Sequence, residues 1–322
     1  MDYALERIGV LMEPDPDDPR EAWGVLNPAS ARGADGELYL FPRLVAEGNY
    51  SRIGRARVMF GEHAPLSVER LGIALEPEEE WEEKGVEDPR ITLVERLGLY
   101  LMTYTAFGPN GPRVAIAGSA DLEHWERYGL VEYSGNLGSY DNKDAAFFPE
   151  PVAAPDGRRA YALLHRPANE ERPGIWISFA DAEEVERDPR RIVRVDDHRR
   201  VAAPQEPWED LKIGAGPPPV RRDEGWLLLH HGVSGRLEPG MDRQPAVRYC
   251  AGAMVLGSEK VWEVVARTTE PLLEPETGQE RKGIVPNVVF PTALDDRGDG
   301  TADVFYGMAD SRIGAARLSR ST

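Results

Sequence analysis

Apolar residues in this chain come in short runs bounded by Gly, Pro, Asp and Asn, and patterns that would sustain long helices are scarce. Five runs read as β-strands: residues 38–44, 99–107, 160–166, 226–233 and 303–309. A related segment follows each run. Ser51-Arg52-Ile53-Gly54-Arg55-Ala56-Arg57 and Ser311-Arg312-Ile313-Gly314-Ala315-Ala316-Arg317 are the clearest copies. Weaker ones are Arg113-Val114-Ala115-Ile116-Ala117-Gly118-Ser119, Gly174-Ile175-Trp176-Ile177-Ser178 and Tyr249-Cys250-Ala251-Gly252-Ala253-Met254. A proline-bearing segment precedes each run: Asn27-Pro28, Asp88-Pro89, Phe148-Pro149, Gly216-Pro217 and Phe290-Pro291. Proline cannot donate to a ladder, so it suits the start of a strand or a strand beside an open channel. Three elements recur five times in one order, at steps of about 60 to 75 residues, the scale of a four-stranded blade. The pattern predicts an all-β, five-bladed β-propeller, with residues 1–322 as one domain.

Finer expectations follow. Residues 204–207 read as a loop between blades, residues 181–200 hold a short helix, and residues 122–125 carry an outer-strand pattern after a turn at Asp121.

Composition narrows the function classes. The chain is 41% hydrophobic and 29% charged, without an apolar stretch near the ~20 residues of a membrane span. Residues 1–10 lack the regions of a signal peptide, so a cytoplasmic home is expected, away from membranes. The single cysteine, Cys250, excludes an intrachain disulfide and reads as a small buried apolar residue. A net charge of −18 argues against nucleic acid, whose phosphates require a basic surface. The acidic runs at residues 13–18 and 76–83 read as solvated loops. Nothing in the sequence decides between a monomer and a homo-oligomer.

Polar residues on inner strands are the candidates for chemistry, because those strands converge on a propeller axis. Glu87 and Asp88 are adjacent, which on a regular strand sends them to opposite faces and denies a facing carboxylate pair. Pro89 predicts an extended conformation at Asp88. Lys143, His165 and Arg166, with Arg52 and Arg113, can set several cations on one concave surface of an acidic protein, suited to phosphate or carboxylate. The glycines of residues 212–219 lack the Gly-Lys-Ser/Thr ending and helix of a nucleotide loop. His230 and His231 occupy opposite faces, one toward the axis, and too few ligands assemble for a metal site.

Residues 85–92, 142–150, His165-Arg166-Pro167, and residues 212–219, 285–292 and 306–315 resemble the signature blocks of glycoside hydrolase family 130, from about Asn27 to Ala316. That family comprises β-mannoside phosphorylases and related β-mannosidases. The resemblance implies a five-bladed propeller and an inverting phosphorolysis that releases α-mannose 1-phosphate from a β-mannoside, with inorganic phosphate as co-substrate and no cofactor. It maps the general acid onto Asp88, acting through the mannose 3-hydroxyl, so that no second carboxylate is required. It maps phosphate binding onto Arg52, Arg113, Lys143, His165 and Arg166, and sugar contacts onto Asn27, His231 and Asp310. His230 departs from the family pattern, which has a tyrosine before the His-Gly pair. The alternatives are a β-mannosidase that uses water on the same scaffold and a non-catalytic carbohydrate-binding propeller.

Overall fold

The structure, a computed structural model, describes residues 1–62, 64–238 and 243–320. Strands dominate these residues, helix is confined to short pieces, and no helix is long and apolar enough to cross a membrane. Gly24–Arg32, Leu38–Val45, Ser51–Phe60 and Pro65–Leu75 form an antiparallel meander. Gly85–Val94, Leu99–Gly108, Gly111–Ser119 and Glu126–Leu130 form a second, joined to the first by one parallel pair between Ser51 and Gly85. The next sheet contains Asn142–Phe147, Arg159–Pro167, Ile175–Asp181 and Arg194–Ala202. Lys212–Ala215, Gly225–Gly235, Val247–Leu256 and Val264–Arg267 follow. The last sheet pairs Val289–Asp296, Ala302–Met308 and Arg312–Arg320 with Tyr3–Met12 from the opposite end of the sequence. The all-β class is as expected.

Packing explains why the sequence shows apolar runs rather than a strict alternation. Neighbouring residues of a strand face opposite sides. Leu101 belongs to one apolar cluster and Met102 to another, and Leu163 and Leu164 divide in the same way. Both faces of these strands are therefore buried, and each such side chain contributes ~1.5–3 kcal/mol. The clusters link the sheets in sequence order. Phe41 clusters with Met102, Leu101 with Phe147, Leu164 with Leu228, and Leu229 with Val304. Phe305 then returns to Val25 and Leu40 of the first meander. Cys250 is buried, and that burial pushes its thiol up to about 11.

A second device repeats beside the apolar clusters. Short turns ahead of the inner strands present a buried glutamate to an arginine on the outermost strand of the same meander. Glu82 takes Arg127 and the Tyr104 hydroxyl, and Glu280 takes Arg7 and the Tyr306 hydroxyl. Glu209 takes Arg267 and His230 Nε2. Glu82, Glu209 and Glu280 each also close a capping box. His230 therefore stands where the sister strands carry a tyrosine, and it fills the same hydrogen-bonding place. The charged run 76–83 is accordingly more than a solvated loop, since Glu82 is fully buried.

Two local expectations meet different outcomes. Asp181 caps a short helix at Ala182–Arg187, but Arg194–Ala202 is strand. Residues 122–125 are not strand, because Ser119 and Asp121 accept backbone N–H groups from residues 121–124 and hold a turn there. The outer strand begins at Glu126.

Glu280→Ala should destabilise the protein by ~1–3 kcal/mol, because the Tyr306 hydroxyl and the backbone N–H groups of Glu276 and Thr277 lose their acceptor, while Arg7 keeps Glu276 and the Glu274 carbonyl. Urea unfolding checks this, and a midpoint equal to wild type would show that the clamp carries little.

Candidate active site

Three inner strands share one irregularity. Asn27, Asp88 and Asp144 adopt left-handed backbones, with φ of 43°, 48° and 55°. Asn and Asp tolerate this region better than other non-glycine residues. Each lies in a register slip: Leu26 to Ala29, Glu87 to Arg90, and Lys143 to Ala146. Such a bulge breaks the alternation of faces. Pro28 and Pro89 keep the preceding residue out of the right-handed helical region. Asp88 is therefore left-handed rather than extended, and the expectation that Glu87 faces away from it is corrected. Arg43 reaches both carboxylates, Glu87 at 2.9 Å and Asp88 at 3.2 Å.

The bulges border two adjoining cavities. The inner one, about 160 Å³, is lined by Asn27, Asp88, Lys143, Arg166, His231 and Asp310 among others. These six were expected to take part in the site, and the structure brings them together. The outer cavity, about 280 Å³, adds Glu87, Phe107 and Trp23, and shares Arg43, Lys143 and Asp310 with the inner one.

Opposite charges are interleaved around these walls. Asn27 Nδ2 donates to Asp88 Oδ1 at 2.9 Å. Arg90, fully buried, donates to the Asp88 carbonyl at 2.8 Å and to the Gly216 carbonyl at 2.9 Å, which pins the bulge from behind. Lys143 lies 3.1 Å from Glu87. Burial disfavours the charged form of Glu87, but Arg43 and Lys143 outweigh it and hold its pKa down. Arg166 donates to Asp144 at 2.6 Å, and His231 Nε2 lies 3.5 Å from the same oxygen. Burial also opposes ionisation of Asp144, yet Arg166, His231 and Arg90 hold it below the usual carboxylate range. A Cβ on Gly214 would lie 2.2 Å from Asp144 Oδ2 and 2.4 Å from His231 Cε1, so this glycine admits the Asp144–His231 contact.

Two groups on these walls titrate near neutrality. Burial lowers Lys212 to about 7, with Arg166 and Lys143 adding to the shift and Asp144 opposing it. Its ammonium lies 5.8 Å over the Tyr249 ring and has no carboxylate partner among the described residues. Burial lifts Asp310 to about 7, against Arg43 and with Asp88 and Glu87. The site thus offers an anion several cations, one of them without a partner, beside a carboxylate and a carboxyl that keeps its proton to near neutral pH.

Three expected phosphate ligands lie elsewhere. His165 is fully buried on the opposite face of its strand from Arg166, between Asn142 at 3.0 Å and Ser178 at 2.8 Å, and burial lowers it to about 3. It is the counterpart of His230, and Arg166 is the counterpart of His231. Arg52 pairs with Glu76 and lies over the Tyr50 ring. Arg113 pairs with Asp141 at a separate cavity. Arg43, Glu87, Asp144, Lys212, Tyr249 and Phe290 were not among the expected site residues. For Arg43 a signal existed, since it pairs with its inner strand as Arg166 and His231 pair with theirs.

The chain is similar to known proteins along most of its length. A family model described as beta-1,4-mannooligosaccharide phosphorylase matches residues 5–321. A 1,2-beta-oligomannan phosphorylase of Thermoanaerobacter sp. (strain X514) is 36% identical over 245 residues, covering 75% of this chain and 70% of the relative. A beta-1,2-mannobiose phosphorylase of the same organism is 35% identical over 247 residues, covering 76% and 69%. In three dimensions the chain is similar to the beta-1,2-mannobiose phosphorylase of Listeria innocua, solved with beta-1,2-mannobiose. The TM-score is 0.77, with 23% identity, over 98% of this chain and 96% of that one. That last likeness speaks for the fold. With a model match along nearly the whole chain and relatives above a third identical, the chain belongs to glycoside hydrolase family 130.

Proposed function

We propose that the protein is an inverting β-mannoside phosphorylase whose central cavities hold inorganic phosphate and the terminal mannosyl unit. The observation that carries this reading is the convergence of Arg43, Lys143, Arg166 and Lys212 beside Asp88 in a chain of net charge −18. A phosphate dianion requires such a cluster, and fixed cations that need no reorganisation stabilise the charge moving through the transition state. We read Lys143, Arg166 and Lys212 as the phosphate ligands. Arg43 and Asn27 orient Asp88, and Asp310 and His231 contact the sugar. A phosphate oxygen bonds to the anomeric carbon as the bond from that carbon to the next sugar breaks. The proton passes from Asp88, through the mannose 3-hydroxyl, to the departing oxygen. Attack from the face opposite the leaving sugar converts the β-linkage into α-mannose 1-phosphate. The five meanders, packed first to last through their apolar clusters, are read as five blades around these cavities.

Two variants test the assignment of roles. Asp88→Asn keeps the shape and tolerates the left-handed backbone, so it should fold normally and lose roughly 10²–10⁴-fold in kcat. Phosphorolysis within a few-fold of wild type would remove Asp88 from the acid role. Lys212 supports a prediction in pH. Its charged form is the one below about 7, so kcat/KM for phosphate should fall as pH rises past that value. Lys212→Arg keeps its charge and should flatten that fall. An equally steep fall in Lys212→Arg would assign the titration to another group.

A further inference from the structure

Asp144 is a carboxylate set among the cations that are read as the phosphate ligands. Its bulge places it on the wall of the inner cavity with Lys143, Arg166 and Lys212. Its two oxygens differ. Oδ2 accepts from Arg166 Nε at 2.6 Å and has His231 Nε2 at 3.5 Å. Oδ1 accepts no hydrogen bond among the described residues, and Arg90 Nη2 stands 3.9 Å from it, beyond hydrogen-bond reach.

The neighbouring donors are open as well. Arg166 gives its Nε to Asp144, while its terminal nitrogens donate no hydrogen bond among the described residues. Lys212 has no carboxylate partner there and feels both Arg166 and Asp144. An anion that takes the Arg166 fork and the Lys212 ammonium therefore adjoins Asp144 Oδ1. Glu87, on the wall of the outer cavity, has no such vacancy, because Arg43 holds one of its oxygens at 2.9 Å and Lys143 the other at 3.1 Å.

The charge state of Asp144 decides what that anion must bring. Burial opposes ionisation, yet Arg166, His231 and Arg90 keep the carboxyl charged. An ionised carboxylate can only accept hydrogen bonds, and an acceptor left unpaired in a buried site is costly. It repels an oxyanion that has lost every proton and welcomes one that still carries a hydroxyl. Inorganic phosphate and arsenate keep a hydroxyl at neutral pH, whereas sulfate, of similar shape, has none. We infer that Asp144 selects among tetrahedral oxyanions: its Oδ1 accepts a hydrogen bond from the hydroxyl of hydrogen phosphate, so that the site takes phosphate and arsenate and rejects sulfate. The same bond keeps the protonated oxygen on the wall and leaves ionised oxygens for Arg166, Lys212 and the sugar.

The inference rests on the phosphate reading of the central site, and two measurements separate them. Formation of α-mannose 1-phosphate from a β-mannooligosaccharide reports on that reading. Calorimetric titration with phosphate, arsenate and sulfate, at neutral pH and fixed ionic strength, reports on selection. Wild type should bind phosphate and arsenate roughly 10- to 100-fold more tightly than sulfate. Sulfate binding as tight as phosphate binding in wild type would overturn the inference whatever any variant does. Asp144→Asn tolerates the left-handed backbone, keeps an acceptor for Arg166 and can offer the anion an amide N–H. It should therefore bring the phosphate-to-sulfate ratio close to one. A merely structural role would weaken both anions alike, and an unchanged ratio in Asp144→Asn would sink the proposal. Glu87→Gln should keep the wild-type ratio, and a collapse there but not in Asp144→Asn would overturn the choice of Asp144. Selective phosphate binding without α-mannose 1-phosphate would refute the phosphorylase reading and leave the selection standing. Product formation with equal affinity for sulfate and phosphate would do the reverse.

Discussion

The left-handed bulge on the inner strands is the constraint on which the site depends. On a regular strand only every second side chain reaches a given side, and a residue beside Asp88 would be lost to the apolar interior. At Glu87-Asp88 and Lys143-Asp144 the slip in register delivers both neighbours to the cavities. A non-glycine residue at positive φ costs free energy, of order 1–3 kcal/mol, and persists only where surrounding contacts enforce it. Arg90 on the Asp88 carbonyl, Asn27 and Arg43 on its carboxylate, and the following proline are those contacts.

Around the bulges, charge is organised in two sets that meet at Lys143 and Asp310. One set is Arg43 with Glu87 and Asp88, and the other is Arg166, Arg90 and His231 with Asp144. Nearly balanced sets fix the positions of the groups without cancelling the field, because Lys212 remains outside both. Burial of that ammonium among other cations lowers its pKa, and an incoming dianion would relieve the same repulsion. A protein with a large negative net charge thereby presents a local positive field at one place.

Much of the fold was readable from the chain because apolar runs, proline segments and turn residues report local structure directly. The site was readable in part. Asn27, Asp88, Lys143, Arg166, His231 and Asp310 stand out as polar residues on or near inner strands, and they converge. His165 was misplaced even though the alternation that separates His230 from His231 also separates His165 from Arg166. Glu87 was misplaced for the opposite reason, since alternation fails at a bulge and nothing in the local sequence announces the slip. Arg43 and Lys212 acquire meaning only from partners far along the chain. His230 takes the place on Glu209 that Tyr104 and Tyr306 take on Glu82 and Glu280.

The central claim is that the cation cluster makes phosphate, rather than water, the second substrate. Phosphorus NMR of a β-mannooligosaccharide incubated with the protein, with and without inorganic phosphate, tests it most directly. The account predicts that α-mannose 1-phosphate accumulates with phosphate and that turnover nearly stops without it. Free mannose released at the same rate in both samples would contradict it.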